Sequence, residues 1–203
     1  MAVTGPLACG KSAFVGMLSD FGAETVSSDE IVHDLLANDP EAIAAITWRF
    51  GEGVRAEGGS IDRKALGREV FGDAEALQDL EDILHPRVRE ETERRARASG
   101  AALFVAEIPL LFEGEGSGRF DVTVAVTAPE ERRKKWAQER GMDEEQRRGI
   151  EDRQLSAEEK ARRADVVVQN DEDLDKLREQ ARDLVEWVLG ERDAGGEEGA
   201  EGA

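Results

Sequence analysis

Gly5-Pro6-Leu7-Ala8-Cys9-Gly10-Lys11-Ser12 reads G-x-x-x-x-G-K-[ST] in full, the spacing of a loop that cradles a polyphosphate. Backbone N–H groups of such a loop, with the positive end of the following helix, face the phosphates. Lys11 is then placed to reach the terminal phosphates, and the Ser12 hydroxyl to ligate Mg²⁺. The nucleotide-contacting set read from this motif is Gly5, Ala8, Cys9, Gly10, Lys11, Ser12 and Ala13. A plain strand-to-helix turn accounts for the two glycines but leaves Lys11 and Ser12 unexplained. Cys9 could have a lowered pKa at a helix N-terminus; as a small residue filling the loop it needs no such role.

Other residues could add chemistry. Ser27 and Glu30 stand in capping-box spacing, which puts Asp29 in a first helical turn. There it can orient and deprotonate a hydroxyl, or simply complement the helix dipole. Glu107 directly follows an apolar run at residues 103–106, the carboxyl edge at which α/β sheets bind ligands. It could hold Mg²⁺ through water or act as a capping acid. Residues 130–153 contain eight Lys/Arg against eight acids in a chain of net charge −19, a locally positive island. Arginines in it suit the bidentate clamping of a phosphoryl group, although most belong to an exposed ion-paired face.

These groups need a scaffold. Residues 2–4 read as a short buried strand entering the loop, and Phe14, Met17, Leu18 and Phe21 then mark one helix face. A second strand at residues 24–26 leads to a helix from Ser27 with Ile31, Leu35 and Leu36 inward. Residues 39–99 carry helical patterns only, around a glycine-rich turn at residues 51–60. Pro86 is expected to restart a helix, with His85 held outside the αR region. Apolar runs at residues 102–106, 122–126 and 166–168 read as buried parallel strands. A last helix carries Leu174, Leu177, Ala181, Leu184, Val185 and Val188 on one face. Strands alternating with helices give an α/β fold with a parallel sheet, and residues 191–203 read as an acidic tail without structure.

Composition sets limits. With 203 residues, 39% hydrophobic and 36% charged, the chain is about one large domain. Its acidity argues against a nucleic-acid backbone or an anionic membrane surface as partner. The single Cys9 excludes an intramolecular disulfide and fits a reducing compartment. The absence of both a membrane-length apolar run and a leader pattern makes a cytoplasmic protein the expectation.

In five segments the sequence resembles the dephospho-CoA kinases: residues 2–13 (AVTGPLACGKSA), 26–33 (VSSDEIVH), Leu84-His85-Pro86, 107–113 (EIPLLFE) and 154–170 (QLSAEEKARRADVVVQN). They fall in the right order across residues 3 to about 188. The phosphate loop is widespread, whereas IPLLFE and the His-Pro pair at these spacings are selective. The resemblance implies a three-layer P-loop NTPase fold over residues 1–190, with a helical substrate-binding insertion near residues 35–98 and a lid near 129–155. It implies ATP and Mg²⁺ as cofactors, dephospho-CoA as the small-molecule partner, and phosphorylation of its ribose 3′-hydroxyl. By the same resemblance Asp29 would take the part of the base, and Lys11 and Arg140 would stabilise the transferring charge. Asn170 is expected near the adenine, and Arg63, His85, Arg87, Glu107 and Leu111 are expected to meet the other substrate. A monomer is expected.

Ser27 stands where the family has a first aspartate, Ala8 where it has a glycine, and Glu107 where Asp is commoner. These departures leave an inactive nucleotide-binding relative as one alternative, and another small-metabolite kinase as a second. A guanine-nucleotide switch lacks its N-K-x-D motif. Only six of the 27 basic residues are lysines, a ratio that codon bias can explain; the −19 charge fits a salt-rich cytoplasm better, where counterions screen self-repulsion. The melting temperature is therefore expected to rise steeply from low to molar salt, and a flat profile would refute the reading.

Overall fold

The structure is a computed structural model that describes residues 1–114 and 116–197, the last seven by backbone alone. The chain divides into two compact units, Met1–Thr25 with Ser99–Ala203, and Val26–Ala98. The second unit begins nine residues before the helical stretch expected from about residue 35, and takes in the helix after the second strand.

The first unit opens with β1 (Ala2–Thr4), wholly buried, the loop, and α1 (Lys11–Asp20). The next strand, β2 (Glu24–Ser27), carries the chain out into the second unit. There α2 (Ser28–Asn38) and α3 (Pro40–Phe50) precede the glycine-rich turn. Helices α4 (Arg63–Val70) and α5 (Ala74–Ala98) follow. The return to the first unit is through β3 (Phe104–Glu107) and β4 (Thr123–Thr127). Then come α6 (Glu130–Glu139), α7 (Glu144–Glu151), α8 (Ala157–Arg163), β5 (Val166–Gln169) and α9 (Leu174–Glu197). The sheet order is β2-β3-β1-β4-β5. β1 pairs parallel with β3 and β4, and β4 with β5.

Burial follows from that order. β1 lies between two strands, so Ala2 and Val3 are inaccessible, and a continuous apolar run is what a strand covered on both faces requires. Val3, Val105, Val124, Val126 and Val168 pack with Phe14 and Leu18 of α1 and with Leu177, Ala181 and Leu184 of α9. Arg178 of α9 ties to Asp20 at 2.7 Å and lies over the Phe21 ring. At one edge, Asp165 accepts from Thr123 N at 2.7 Å and Thr123 Oγ1 at 2.6 Å, registering β5 against β4. These bonds hold its carboxyl below the usual value.

In the second unit α5 packs against α2, α3 and α4. Asp39 caps α3 by accepting from Glu41 N and Ala42 N, with Pro40 at the first helical position, and Asp62 caps α4 likewise. These caps satisfy N–H groups a helix start leaves orphaned.

Four expectations change. Pro86 does not restart a helix; α5 runs through it from Ala74 to Ala98. Proline removes one N–H and crowds the preceding turn, and the Arg87 guanidinium donates to the Ile83 carbonyl at 2.9 Å beside that gap. Packing on three helices outweighs the break. Ser27 caps α2 by accepting from Asp29 N at 3.2 Å, a cap without the reciprocal half of a box. Glu107 is the last residue of β3 rather than a residue beyond it. Finally, α9 extends through Glu197 into the expected tail; residues 198–203 lie outside the described residues. No helix among the described residues is long and apolar enough to cross a membrane.

Asp165→Asn is expected to cost about 1 kcal/mol at pH 7 in urea titrations. The sign is that of a depressed carboxyl: its contribution is present above the ordinary value of 3.8 and fades as pH falls through the lowered one. The gap between wild type and variant should therefore narrow in acid, and a gap constant with pH would contradict the role.

Candidate active site

The loop is built by backbone conformations that few residues adopt. Gly5 has φ 152°, Gly10 φ 94°, and Ala8 φ 56°, the one non-glycine with positive φ among the described residues. A Cβ at Gly5 would lie 2.2 Å from the Val126 carbonyl oxygen and 2.8 Å from Cys9 Sγ, so no side chain fits. Ala8, where a glycine was expected, does adopt the left-handed region, at a cost of roughly 1–2 kcal/mol, and is buried.

Lys11, at the start of α1, is buried. Its ammonium donates to the Gly5 carbonyl at 3.0 Å and the Pro6 carbonyl at 2.9 Å, which curls the side chain back over the loop. Cys9 is fully buried beneath it, with Sγ 3.9 Å from Lys11 Nζ. Burial raises the thiol pKa against the pull of Lys11 and, more weakly, Arg133. That disposes of an activated Cys9; the residue fills the loop. Ser12 Oγ donates to Glu107 Oε1 at 2.9 Å, bringing together the hydroxyl expected to ligate Mg²⁺ and the carboxylate expected either to hold that ion through water or to meet the second substrate. Asn170 is buried just after β5, and its Nδ2 donates to the Cys9 carbonyl at 3.0 Å.

The segment after Glu107 is held by a residue to which the sequence reading gave no role. Lys160 of α8 is fully buried, and its ammonium donates to the Pro109 carbonyl at 2.7 Å and Glu113 Oε1 at 2.6 Å. Burial pushes its pKa down, opposed by Glu113. Thr4 Oγ1 also donates to Pro109, Glu113 accepts from Leu155 N at 2.8 Å, and Arg163 donates to the Phe112 carbonyl. Residues 107–113 are thus fixed by β1, α8 and the turn before it. Leu111, expected in a substrate pocket, is 2% exposed in a cluster with Ala2 and Phe112, while its neighbour Leu110 is half-buried. The turn after β3 directs Leu111 inward. No apolar period marks Lys160 as buried, since its helix, AEEKARR, offers only two alanines among charged residues.

In the region expected to be a lid, Arg133 of α6 pairs with Glu151 at 2.8 Å, and Arg147 pairs with both Glu144 and Glu151. This binds α6 to α7 and holds the Glu144 carboxyl at about 2, chiefly through the Arg147 hydrogen bond. Arg133 Nε is buried with no hydrogen-bond partner. Arg140, by contrast, is exposed at the end of α6.

The second unit has its own cleft of about 440 Å³, lined by Asp29, Glu30, His33, Asp34, Arg63 and Arg95. It brings together Asp29 and Arg63 of the expected residues. Arg63 Nη1 donates to His33 Nδ1 at 3.1 Å, and Arg95 pairs with Asp34 at 3.0 Å and Glu91 at 2.7 Å. Hydrogen bonds from Arg94 first and then Arg95 hold the Glu91 carboxyl near 2. His85 is exposed and Arg87 is turned to its own helix; neither lines the cleft. His33, to which no role was assigned from the sequence, does.

The donor set for a metal can be judged from this geometry. Among the described residues no group of three or more His, Cys, Asp or Glu could hold an ion. The Ser12 hydroxyl and Glu107 carboxylate are hard oxygen donors within hydrogen-bond distance. That partial set fits Mg²⁺, which takes one or two protein oxygens and completes its shell from phosphates and water.

A family model described as dephospho-CoA kinase matches residues 1–176. A protein named dephospho-CoA kinase from Frankia casuarinae is 35% identical over 96% of this chain and 85% of its own. The structure of a Thermus thermophilus protein superimposes with a TM-score of 0.78 at 35% identity, covering 94% of this chain and 95% of the other. That of a dephospho-CoA kinase from Campylobacter jejuni gives 0.69 at 28%, covering 94% and 97%.

Lys160→Met is expected to cost about 3 kcal/mol in urea titrations, because it leaves the Glu113 carboxylate buried without its cation. The double variant Lys160→Met with Glu113→Leu should recover most of that loss. Simple additivity of the two changes would show that the pair is not coupled.

Proposed function

The chain belongs to the dephospho-CoA kinase family, and we infer that it transfers the terminal phosphoryl group of ATP to the ribose 3′-hydroxyl of dephospho-CoA. The products are coenzyme A and ADP, the last step of coenzyme A synthesis. The observation that carries the residue-level reading is the Ser12–Glu107 hydrogen bond of 2.9 Å, next in sequence to the buried ammonium of Lys11.

Lys11 and the loop N–H groups of Ala8, Cys9, Gly10, Ser12 and Ala13 bind the triphosphate. Nucleotide entry exchanges the lysine's bonds to the Gly5 and Pro6 carbonyls for bonds to phosphate oxygens. Ser12 and Glu107 hold Mg²⁺, which when bound neutralises charge on the phosphates. Glu107 in this reading serves the metal rather than the second substrate. Its extra methylene over Asp is accommodated by its place at the end of β3, where the carboxylate already reaches the Ser12 hydroxyl.

Asp29 orients the acceptor hydroxyl and takes its proton. Phosphoryl transfer passes through a loose transition state that needs positioning more than a strong base, and the Ser27 cap fixes the turn that carries Asp29. Ser27, in place of a first carboxylate, serves as that cap. Arg63 and His33 supply the polar wall of the cleft beside Asp29; His85 and Arg87 remain assigned by resemblance alone. For stabilising the transferring charge we place Arg133 ahead of Arg140. Arg133 is largely buried, has an unpartnered Nε, and its charge reaches Cys9 of the loop. The same reading makes the enzyme a cytoplasmic monomer, supported by the lone buried thiol and the −19 charge.

Purified protein with Mg-ATP is expected to release ADP with dephospho-CoA and not with adenosine monophosphate. Lys11→Ala should abolish turnover, and Asp29→Asn should lower kcat at least tenfold with ATP affinity little changed. ATP binding without turnover would instead support an inactive relative, and wild-type turnover by Asp29→Asn would remove that residue from the role of base.

A further inference from the structure

Gly10 presents a problem that its own residue type does not solve. Glycine visits positive and negative φ with equal ease, so nothing intrinsic to Gly10 fixes the Cys9–Gly10 peptide plane in the observed orientation at φ 94°. A half-turn of that peptide would exchange the directions of its C=O and N–H. In a planar trans peptide the two point opposite ways. Whatever holds the Cys9 carbonyl on one side therefore aims the Gly10 N–H to the other.

Asn170 is what holds it. Its Nδ2 donates to the Cys9 carbonyl at 3.0 Å, the pair is buried, and the Asn170 backbone N–H donates to the Thr127 carbonyl at 2.8 Å. The side chain thus springs from a point anchored between β4 and β5. The fit is close: a Cβ on Gly10 would lie 2.3 Å from Asn170 Nδ2. Gly10 must be a glycine both for its φ and for room to admit this amide. The sequence reading set Asn170 near the adenine; the geometry gives its side-chain donor to the phosphate loop.

We propose that Asn170 is a positioning residue that selects the orientation of the Cys9–Gly10 peptide, so that the Gly10 N–H faces the phosphates of the bound nucleotide. It touches the loop and acts through it. The effect falls on phosphate recognition and leaves the second substrate alone. The inference rests on the loop's reading as a nucleotide site.

The test is Asn170→Asp, nearly isosteric but with an oxygen in place of the donor. The ionised carboxylate repels the Cys9 carbonyl and accepts from Gly10 N–H if the peptide turns over. Calorimetry should show ATP affinity down about ten- to hundredfold, the range for losing a hydrogen bond to a charged group. Affinity for adenosine monophosphate should change less than threefold, and kinetics should show KM for ATP raised with KM for dephospho-CoA unmoved. The defect should shrink as pH falls and the introduced carboxyl takes up a proton, since it then donates to the Cys9 carbonyl again. A structural lesion would not follow pH in that direction. Asn170→Ala, if the first variant does not fold, should show the same selectivity for ATP over the monophosphate. Equal losses for the two nucleotides would assign Asn170 to the base instead, and unchanged ATP affinity would overturn the proposal. If wild type itself fails to bind ATP, it is the nucleotide reading that fails.

Discussion

A phosphate cradle requires a backbone to curl so that several N–H groups converge on one point, and no intrinsic preference of an L-amino-acid chain does this. Three residues of the loop here have positive φ, one of them an alanine, and the loop is kept so by what surrounds it. The Val126 carbonyl and Cys9 thiol occupy the space a side chain at Gly5 would need. Lys11 ties two loop carbonyls together, and Asn170 holds a third. Strain of this kind persists only where neighbouring structure over-determines it. The burial of β1 at the middle of the sheet supplies the rigid base from which the loop starts.

Carbonyl groups recur as the points of control. Turning N–H groups toward an anion sends the carbonyls of the same peptides the opposite way, into the protein, where each needs a donor. Lys11 and Asn170 answer that need in the loop, and Lys160, Thr4 and Arg163 answer it in the segment after Glu107. The buried lysine of α8 carries an electrostatic cost, seen in its lowered pKa, and Glu113 compensates it. Fixing residues 107–113 fixes the strand end from which Glu107 reaches Ser12. Removing a donor from either set is therefore expected to be felt as a displaced N–H or carboxylate as well as lost stability.

The second unit solves a different problem with weaker means. Its helices are capped by Ser27, Asp39 and Asp62, its α5 passes unbroken through a proline, and its cleft is walled by charged groups in pairs. Exposed ion pairs such as these contribute little stability singly, but they set the direction of side chains that a small apolar interior cannot. In the cleft, Arg63 is steered by His33 and Arg95 by Asp34 and Glu91.

The sequence by itself determined the fold class, the loop, Asp29 as a first-turn carboxylate and the order of strands and helices along the chain. Those features follow from local rules: apolar period, glycine and proline placement, cap chemistry and a motif whose chemistry demands adjacent residues. What it left undecided or misread involves partners distant in sequence. The Ser12–Glu107, Cys9–Asn170 and Pro109–Lys160 bonds join residues separated by 95, 161 and 51 positions, and no local pattern says which residue each of them will meet. Lys160 in AEEKARR looks like its exposed neighbours, and Leu110 and Leu111 differ only in which way one turn directs them. Even Pro86, a local helix breaker, was overridden by packing on three other helices. Only the tertiary structure could decide these, because a polar side chain's role depends on which buried group lacks a partner, and that is set by how the strands and helices come together.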